Sequence, residues 1–173
     1  DIAARASDDE EAMKFTEEEL RKDSCIIYEA ALKHENLFIR ADILRKEGNK
    51  VDVIEVKAKS IDSSKKESFW NKKALKRNEY KVSESWKPYL YDVAFQTNVI
   101  KSLHPEWNVS PKLLLADKSL EASVSGLNQM FELVKENGII KSRVRSDVSK
   151  GTVGRPVLTE IDVGSIVSKI LNN

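Results

Sequence analysis

Two apolar segments that flank Gly48 and Asn49 constrain the fold of this chain more than any other feature. Residues 37–45 and 51–58 are rich in β-branched and apolar side chains, and charged residues separate them from the glycine and asparagine. A two-residue loop with glycine first is typical of a type II′ β-hairpin. The pattern therefore predicts two antiparallel strands whose register is set by this turn.

The predicted register brings two acidic residues together. Counting outward from the turn, Asp42 lies opposite Glu55, and Arg40 lies opposite Lys57. Because side chains alternate along a strand, all four are expected on one face of the hairpin. Each acid alone would be an ordinary solvated strand residue. Two opposed carboxylates repel each other, however, and their pairing becomes favourable when a cation neutralises them.

A third strand is predicted over residues 25–32, joined to the hairpin by a tight turn at Glu35–Asn36. That turn would place Glu29 opposite Asp42. The sequence thus predicts a row of three acids, Glu29, Asp42 and Glu55, across three adjacent strands.

The rest of the chain predicts helices around a small sheet. The spacing of Thr16 and Glu19 is that of a capping box, which opens a short acidic helix. Further elements follow from apolar periodicity, glycine and proline. They are a helix within 67–80, a helix over 88–103, a strand over 109–117, a helix over 125–137, a loop over 141–156 and a final helix over 162–172 capped by Asp162. This order predicts a mixed α/β fold with a sheet of about four strands flanked by helices.

Length and composition place limits on the type of protein. A chain of 173 residues is expected to form a single domain, here with a core at about 16–118 and a C-terminal extension at 119–173. Cys25 is the only cysteine, so no disulfide or iron–sulfur cluster is expected within this chain. No apolar run approaches membrane-spanning length, which predicts a cytoplasmic protein without a membrane partner. The chain begins at Asp1 rather than methionine, which is expected of a piece of a larger protein with further domains or subunits.

Basic residues concentrate in one segment although the net charge of the chain is only +1. Residues 65–87 carry eight bases against three acids, interleaved with aromatic residues. Such a segment could contact nucleic acid through phosphates and stacking, or could be a solvated loop. The residues predicted to contact DNA are Arg40, Lys59, Lys65, Lys66, Lys72 and Lys73.

Gln96 falls on the apolar stripe of the predicted 88–103 helix, where a lone amide needs a partner. Asp92 lies one turn earlier, and the two side chains can share a face. Two interpretations remain open. Gln96 is either a boundary residue bonded to backbone or an amide that reaches a site on the sheet.

These segments together resemble the PD-(D/E)xK nuclease superfamily, most closely its RecB-like exonuclease branch and uncharacterised bacterial relatives. The resemblance rests on Ile-Arg-Ala-Asp-Ile-Leu over 39–44, Ile-Glu-Val-Lys over 54–57 and the helix segment 92–96, with 27–31 matching the preceding strand. It covers roughly residues 16–118. It implies a restriction-endonuclease-like core and metal-dependent hydrolysis of DNA phosphodiester bonds, although Ile100 stands where the branch usually has a tyrosine.

The resemblance also implies roles for matching positions. Asp42, Glu55 and the Val56 carbonyl would ligate Mg²⁺ or Mn²⁺, which prefer hard oxygen ligands. Lys57 would orient or activate the attacking water or stabilise charge on the phosphate, and Gln96 would act from the helix. Together with Glu29 these two are the predicted catalytic residues. Two alternatives remain. One is a catalytically silent nucleic-acid-binding or assembly module on the same fold. The other is carboxylate-pair chemistry on a substrate such as a sugar, in which the lysine has no clear role.

Overall fold

The computed structural model describes residues 1–3, 5–65, 69–77, 79, 81–136, 138–149 and 151–172. Its elements in chain order are α1 (Asp9–Leu20), β1 (Ser24–His34), β2 (Leu37–Glu47), β3 (Lys50–Ile61), α2 (Lys72–Leu75), α3 (Lys87–Leu103), β4 (Asn108–Asp117), a 3₁₀ turn (Leu127–Met130), β5 (Phe131–Glu136), β6 (Ile139–Val144), β7 (Leu158–Asp162) and α4 (Gly164–Leu171).

The main sheet has five strands in the order β1-β2-β3-β4-β7. Only the β3–β4 pair is parallel, and the chain between these two strands contains α3. A parallel neighbour requires such a crossover, whereas the antiparallel pairs β1–β2 and β2–β3 need only tight turns. The predicted mixed α/β fold is therefore confirmed, with β7 as a fifth strand that the sequence pattern did not indicate.

Both predicted hairpin registers are confirmed. Gly48 has a φ of 57°, which suits the first position of a type II′ turn, and Ile43 lies opposite Ile54. In the preceding hairpin, Tyr28 lies opposite Ile43 and Ala30 lies opposite Ala41. The turns predicted at Glu35–Asn36 and Gly48–Asn49 thus give the alignment of these three strands.

The β1–β2 ladder is interrupted at Glu29. This residue has a φ of 59°, in the left-handed region that non-glycine residues rarely adopt, and it forms no ladder pair with Asp42. The β2–β3 ladder also ends at Ile43 and Ile54, one step before Asp42 and Glu55. The strands therefore part at the row where the acids lie.

Helix α3 packs over the face of the sheet that carries Glu55. Its N-terminal turn contains Pro88, which has no backbone N–H to leave unsatisfied there. Its buried side chains are Leu90, Val93, Ala94, Gln96, Thr97, Val99 and Ile100. The apolar side chains among them share one core with apolar residues of the strands and with Val163, Ile166 and Val167 near and within α4. The C-terminal residues thus complete the same core.

The structure overturns two local predictions. Helix α1 begins at Asp9 with Asp8 as its N-cap, not at Thr16. Thr16 is buried in mid-helix, where its hydroxyl donates to the Ala12 carbonyl at 2.9 Å and accepts from the Ala31 N–H at 3.0 Å. The capping box is wrong because this hydroxyl satisfies an edge N–H of β1 instead.

The predicted helix over 125–137 is also wrong. This region contains the 3₁₀ turn followed by β5, which pairs with β6 in a separate two-stranded sheet. Part of the predicted loop over 141–156 is therefore strand. The final helix is confirmed as α4, although its N-cap is Val163, with the Asp162 carboxylate accepting from the Gly164 N–H at 2.8 Å.

On the sheet face opposite α3, four charged side chains form one ion-pair network. Arg45 bridges Asp52 at 2.6 Å and Glu160 at 2.8 Å, and Lys112 bridges the same two acids at 2.9 and 3.4 Å. The network joins β2, β3, β4 and β7, and each charge in it has an opposite partner. In the part of the chain that the structure describes, no helix is both long and apolar enough to span a membrane.

Candidate functional site

Glu55 is the buried centre of the candidate site. It lies on β3, the middle strand of the sheet, and is only 4% exposed. Its Oε1 accepts from the Lys57 ammonium at 2.5 Å, and its Oε2 accepts from the Gln96 side-chain amide at 2.7 Å. A buried carboxylate is costly unless it is paired and hydrogen-bonded, and both conditions are met here.

Lys57 connects this carboxylate to a second one on α3. Its Nζ lies 2.9 Å from Oδ2 of Asp92, in addition to its contact with Glu55. Glu55 and Lys57 are two residues apart on one strand, so their side chains project from the same face. The ammonium is therefore held between a strand carboxylate and a helix carboxylate.

Asp42 approaches the site from β2. Its Oδ2 accepts a hydrogen bond from the backbone N–H of Val56 at 2.7 Å, just beyond the end of the β2–β3 ladder. A side chain thus takes the place of a ladder carbonyl. Among the described residues, the other oxygen of Asp42 has no hydrogen-bond partner, so it remains available to a ligand.

Gln96 is the helix residue that closes the site. Its Nε2 donates to Glu55 and lies 3.3 Å from Oδ1 of Asp92. Its Oε1 is buried and has no hydrogen-bond partner among the described residues. A buried acceptor without a partner is uncommon and indicates a site for a donor, such as water, a substrate group or a ligand water of a cation. Of the two interpretations that the sequence left open, the structure supports the amide that reaches the sheet.

The pKa values in the site follow from burial and from the close approach of these charged groups. The pKa of Glu55 is raised to about 7, mainly by burial and also by the negative charges of Asp42 and Asp92, while hydrogen bonds from Lys57 and Gln96 act to lower it. Burial alone would lower the pKa of Lys57, but its hydrogen bonds to Glu55 and Asp92 raise it overall. The site therefore combines three carboxylates with one ammonium, which leaves it short of positive charge.

The donor set fits a divalent cation. Asp42 and Glu55 supply hard carboxylate oxygens, which Mg²⁺ and Mn²⁺ prefer, and one oxygen of Asp42 is uncommitted. The mutual repulsion that raises the pKa of Glu55 would be relieved by a positive ion. Within the described residues, no group of three or more His, Cys, Asp or Glu side chains is arranged to hold a metal. The predicted ligand set needs only two acids, with the Val56 carbonyl as its third member.

The other predicted site residues lie outside this network. The side chain of Glu29 is half-buried and makes no hydrogen bond or ion pair with a described residue. Arg40 pairs with Asp9 of α1 at 2.7 Å. The Lys59 ammonium lies over the Trp86 ring, 4.5 Å from its centroid.

The predicted DNA contacts in the basic segment are more scattered. Lys65 pairs with Asp62 at 2.6 Å. Lys72 and Lys73 are exposed on the short helix α2 and make no ion pair with a described residue. Lys66 lies outside the described residues. The structure thus brings together Asp42, Glu55, Lys57 and Gln96, but not the cationic residues predicted to contact DNA.

Asp92 is the site residue to which sequence reasoning gave no role. Its spacing from Gln96 showed that the two could share a helix face. Nothing in the sequence indicated that α3 would lie close enough to β3 for an ion pair with Lys57. No protein-family model, curated protein or solved structure matches this chain.

Proposed function

We propose that this protein is a metal-dependent nuclease that hydrolyses DNA phosphodiester bonds, with an exonuclease-like activity of the PD-(D/E)xK type. One observation carries the proposal. Asp42, Glu55, Lys57 and Gln96 are the residues that the resemblance singles out, and they meet in one hydrogen-bonded site across two strands and a helix.

Asp42, Glu55 and the carbonyl of Val56 would hold Mg²⁺ or Mn²⁺. Such an ion supplies Lewis acidity toward a phosphoryl oxygen and lowers the pKa of a bound water. The position of Asp42 supports the assignment, because only one of its carboxylate oxygens accepts from the Val56 N–H, where the β2–β3 ladder has ended.

Lys57 and Gln96 would act on the substrate side. Because Lys57 is held between two carboxylates, it is a fixed cation, which suits stabilisation of the negative charge that develops on phosphorus-bound oxygens. The buried Oε1 of Gln96 is a free acceptor and would orient a water beside Glu55. Placing these groups in advance lowers the cost of reorganisation during the reaction.

The direct test is cleavage of linear single- and double-stranded DNA with Mg²⁺ or Mn²⁺. Lys57→Met should lower the cleavage rate by roughly 10²–10³-fold, the usual effect of removing one preorganised charge-stabilising group. Lys112→Met is the matched control, because Lys112 also lies between two carboxylates but belongs to the network on the opposite sheet face. Absence of metal-dependent cleavage in the wild type, or equal losses in both variants, would contradict the proposal.

A second candidate function follows from the same network. Both oxygens of Glu55 are already bonded, one to Lys57 and one to Gln96, so this carboxylate is satisfied without a cation. This favours a catalytically silent nucleic-acid-binding or assembly module. Calorimetric titration with Mn²⁺ separates the two, since a silent module would show no binding that depends on Asp42.

A further inference from the structure

A cavity of about 440 Å³ lies between α1, β1 and the C-terminal end of α3, and it shares no residue with the carboxylate–lysine site. Its size falls in the range of small-molecule sites in proteins. Its apolar walls come from separate elements. They include Met13 and Leu20 of α1, Leu32 of β1 and Trp107 beyond α3.

One wall of the cavity is built as a rigid aromatic surface. The rings of His104 and Trp107 stack with their centroids 3.6 Å apart and an interplanar angle of 10°. Both rings line the cavity and are half-buried. A stacked pair of this kind offers a flat aromatic surface that can contact a ligand without further ordering.

The rim of the cavity has an excess of positive charge. Arg21 and Lys33 line it, both are exposed, and neither forms an ion pair with a described residue. Glu17 is the acid that shares the lining, so two cations face one anion. Unpaired cations beside apolar walls complement a ligand with an apolar body and an anionic group.

We propose that this cavity binds an amphipathic organic anion, with its apolar body against Leu20, Leu32 and Trp107 and its anionic group beside Arg21 and Lys33. Aromatic and long-chain aliphatic acids share this chemistry. The Trp107 stack favours an aromatic body.

The probe for the test is anilinonaphthalene sulfonate, which has an aromatic body and one anionic group. Titration of the full chain should show one saturable site with energy transfer from tryptophan. Of the three tryptophans, Trp107 lines the cavity, so Trp107→Phe should remove most of the transfer and should also weaken the binding, because it reduces the aromatic wall. Decanoate should compete less well than naphthoate, and decanol should compete least because it lacks the charge.

The variants separate this cavity from other apolar surfaces. The double variant Arg21→Gln with Lys33→Gln should weaken binding of the probe roughly tenfold, which is the usual effect of losing one hydrogen bond to a charged group. Lys72→Gln with Lys73→Gln removes two exposed cations elsewhere and should leave the affinity unchanged. Leu133→Ser, at a side chain of β5 that is 78% exposed, should also leave it unchanged.

Circular dichroism establishes that each variant is folded. The proposal is overturned if the probe shows no saturable site, if Leu133→Ser removes the binding, or if the Arg21 and Lys33 variant binds as tightly as the wild type.

Discussion

The ammonium of Lys57 lies 2.9 Å from Oδ2 of Asp92, a residue 35 positions away in the chain. The same ammonium contacts Glu55, the buried carboxylate of the site. If Glu55 serves as a ligand to a cation, Asp92 is the carboxylate that still holds Lys57 in place. Asp92 would then be a positioning residue, which acts on the substrate through Lys57.

Asp92→Asn should therefore lower kcat by about tenfold, because the Lys57 ammonium would then donate to a neutral amide oxygen instead of a carboxylate. The effect should be smaller than that of Lys57→Met, because the lysine is still present. Steady-state cleavage assays would measure kcat and KM separately, and KM should change little.

The double variant Lys57→Met with Asp92→Asn provides the control. If Asp92 acts through Lys57, the second substitution should cost little once the lysine is gone. Additive losses would show instead that Asp92 acts independently. Mn²⁺ affinity should be unchanged in Asp92→Asn, since Asp92 is outside the predicted ligand set.

Glu29→Gly should stabilise the protein. Glu29 has a φ of 59°, and a left-handed conformation costs a residue with a Cβ about 1 kcal/mol relative to glycine. Urea denaturation should show a gain of this order. Glu35→Gly is the matched variant, because Glu35 has a φ of 53° in the β1–β2 turn, away from the acids.

Cleavage assays on Glu29→Gly, on Glu35→Gly and on Glu29→Gln address the predicted catalytic role of Glu29. Loss of activity in Glu29→Gly but not in Glu29→Gln would show that the side chain is needed without its negative charge. Loss in both Glu29 variants would assign the catalytic role to the carboxylate. If neither Glu29→Gly nor Glu35→Gly raises the free energy of unfolding, the backbone is not strained at these two positions.

The hairpins and α3 were predictable because their signals are local. Gly48 fixes one turn, alternating apolar residues fix the register, and Pro88 marks the first turn of α3. Asp42, Glu55 and Lys57 are placed by that register alone. The position of Gln96 over Glu55 required the packing of α3 on the sheet, which no local pattern specifies.

The errors arose where one sequence signal had two interpretations. Gly138 directly follows the predicted helix over 125–137, as a helix stop would, yet its φ of 83° belongs to the turn between β5 and β6. Thr16 has the spacing of a cap, but burial against β1 gives its hydroxyl a different partner. In both cases a contact distant in sequence or an alternative turn decided the outcome.

The Arg45 network should make the protein sensitive to acid. Burial alone would raise the pKa of Asp52, but hydrogen bonds from Lys112 and Arg45 lower it overall, and a hydrogen bond from Arg45 lowers the pKa of Glu160. A lowered folded-state pKa means that the stabilisation is present above the ordinary values of 3.8 and 4.5 and is lost as the pH falls below them.

Arg45→Met should therefore cost about 1 kcal/mol near neutral pH, because the network is partly solvated, and less at about pH 3. Urea denaturation at the two pH values measures both free energies of unfolding. Arg77→Met is a control, since Arg77 pairs with Glu79 in an exposed segment. A loss that is equal at both pH values would show that Arg45 contributes packing rather than charge.

Mn²⁺ should stabilise the folded protein through Asp42 and Glu55. A ligand that binds only the folded state at about 100 times its Kd adds about 2.7 kcal/mol to the free energy of unfolding. Asp42→Asn removes a predicted ligand charge and should abolish most of this gain, as measured by urea denaturation with and without the metal. Asp52→Asn is the matched control, because Asp52 also lies on the β2–β3 hairpin but belongs to the opposite face, where Arg45 and Lys112 neutralise it. Equal Mn²⁺ stabilisation in wild type and Asp42→Asn would mean that the ion binds elsewhere, and loss of the effect only in Asp52→Asn would place it in the Arg45 network.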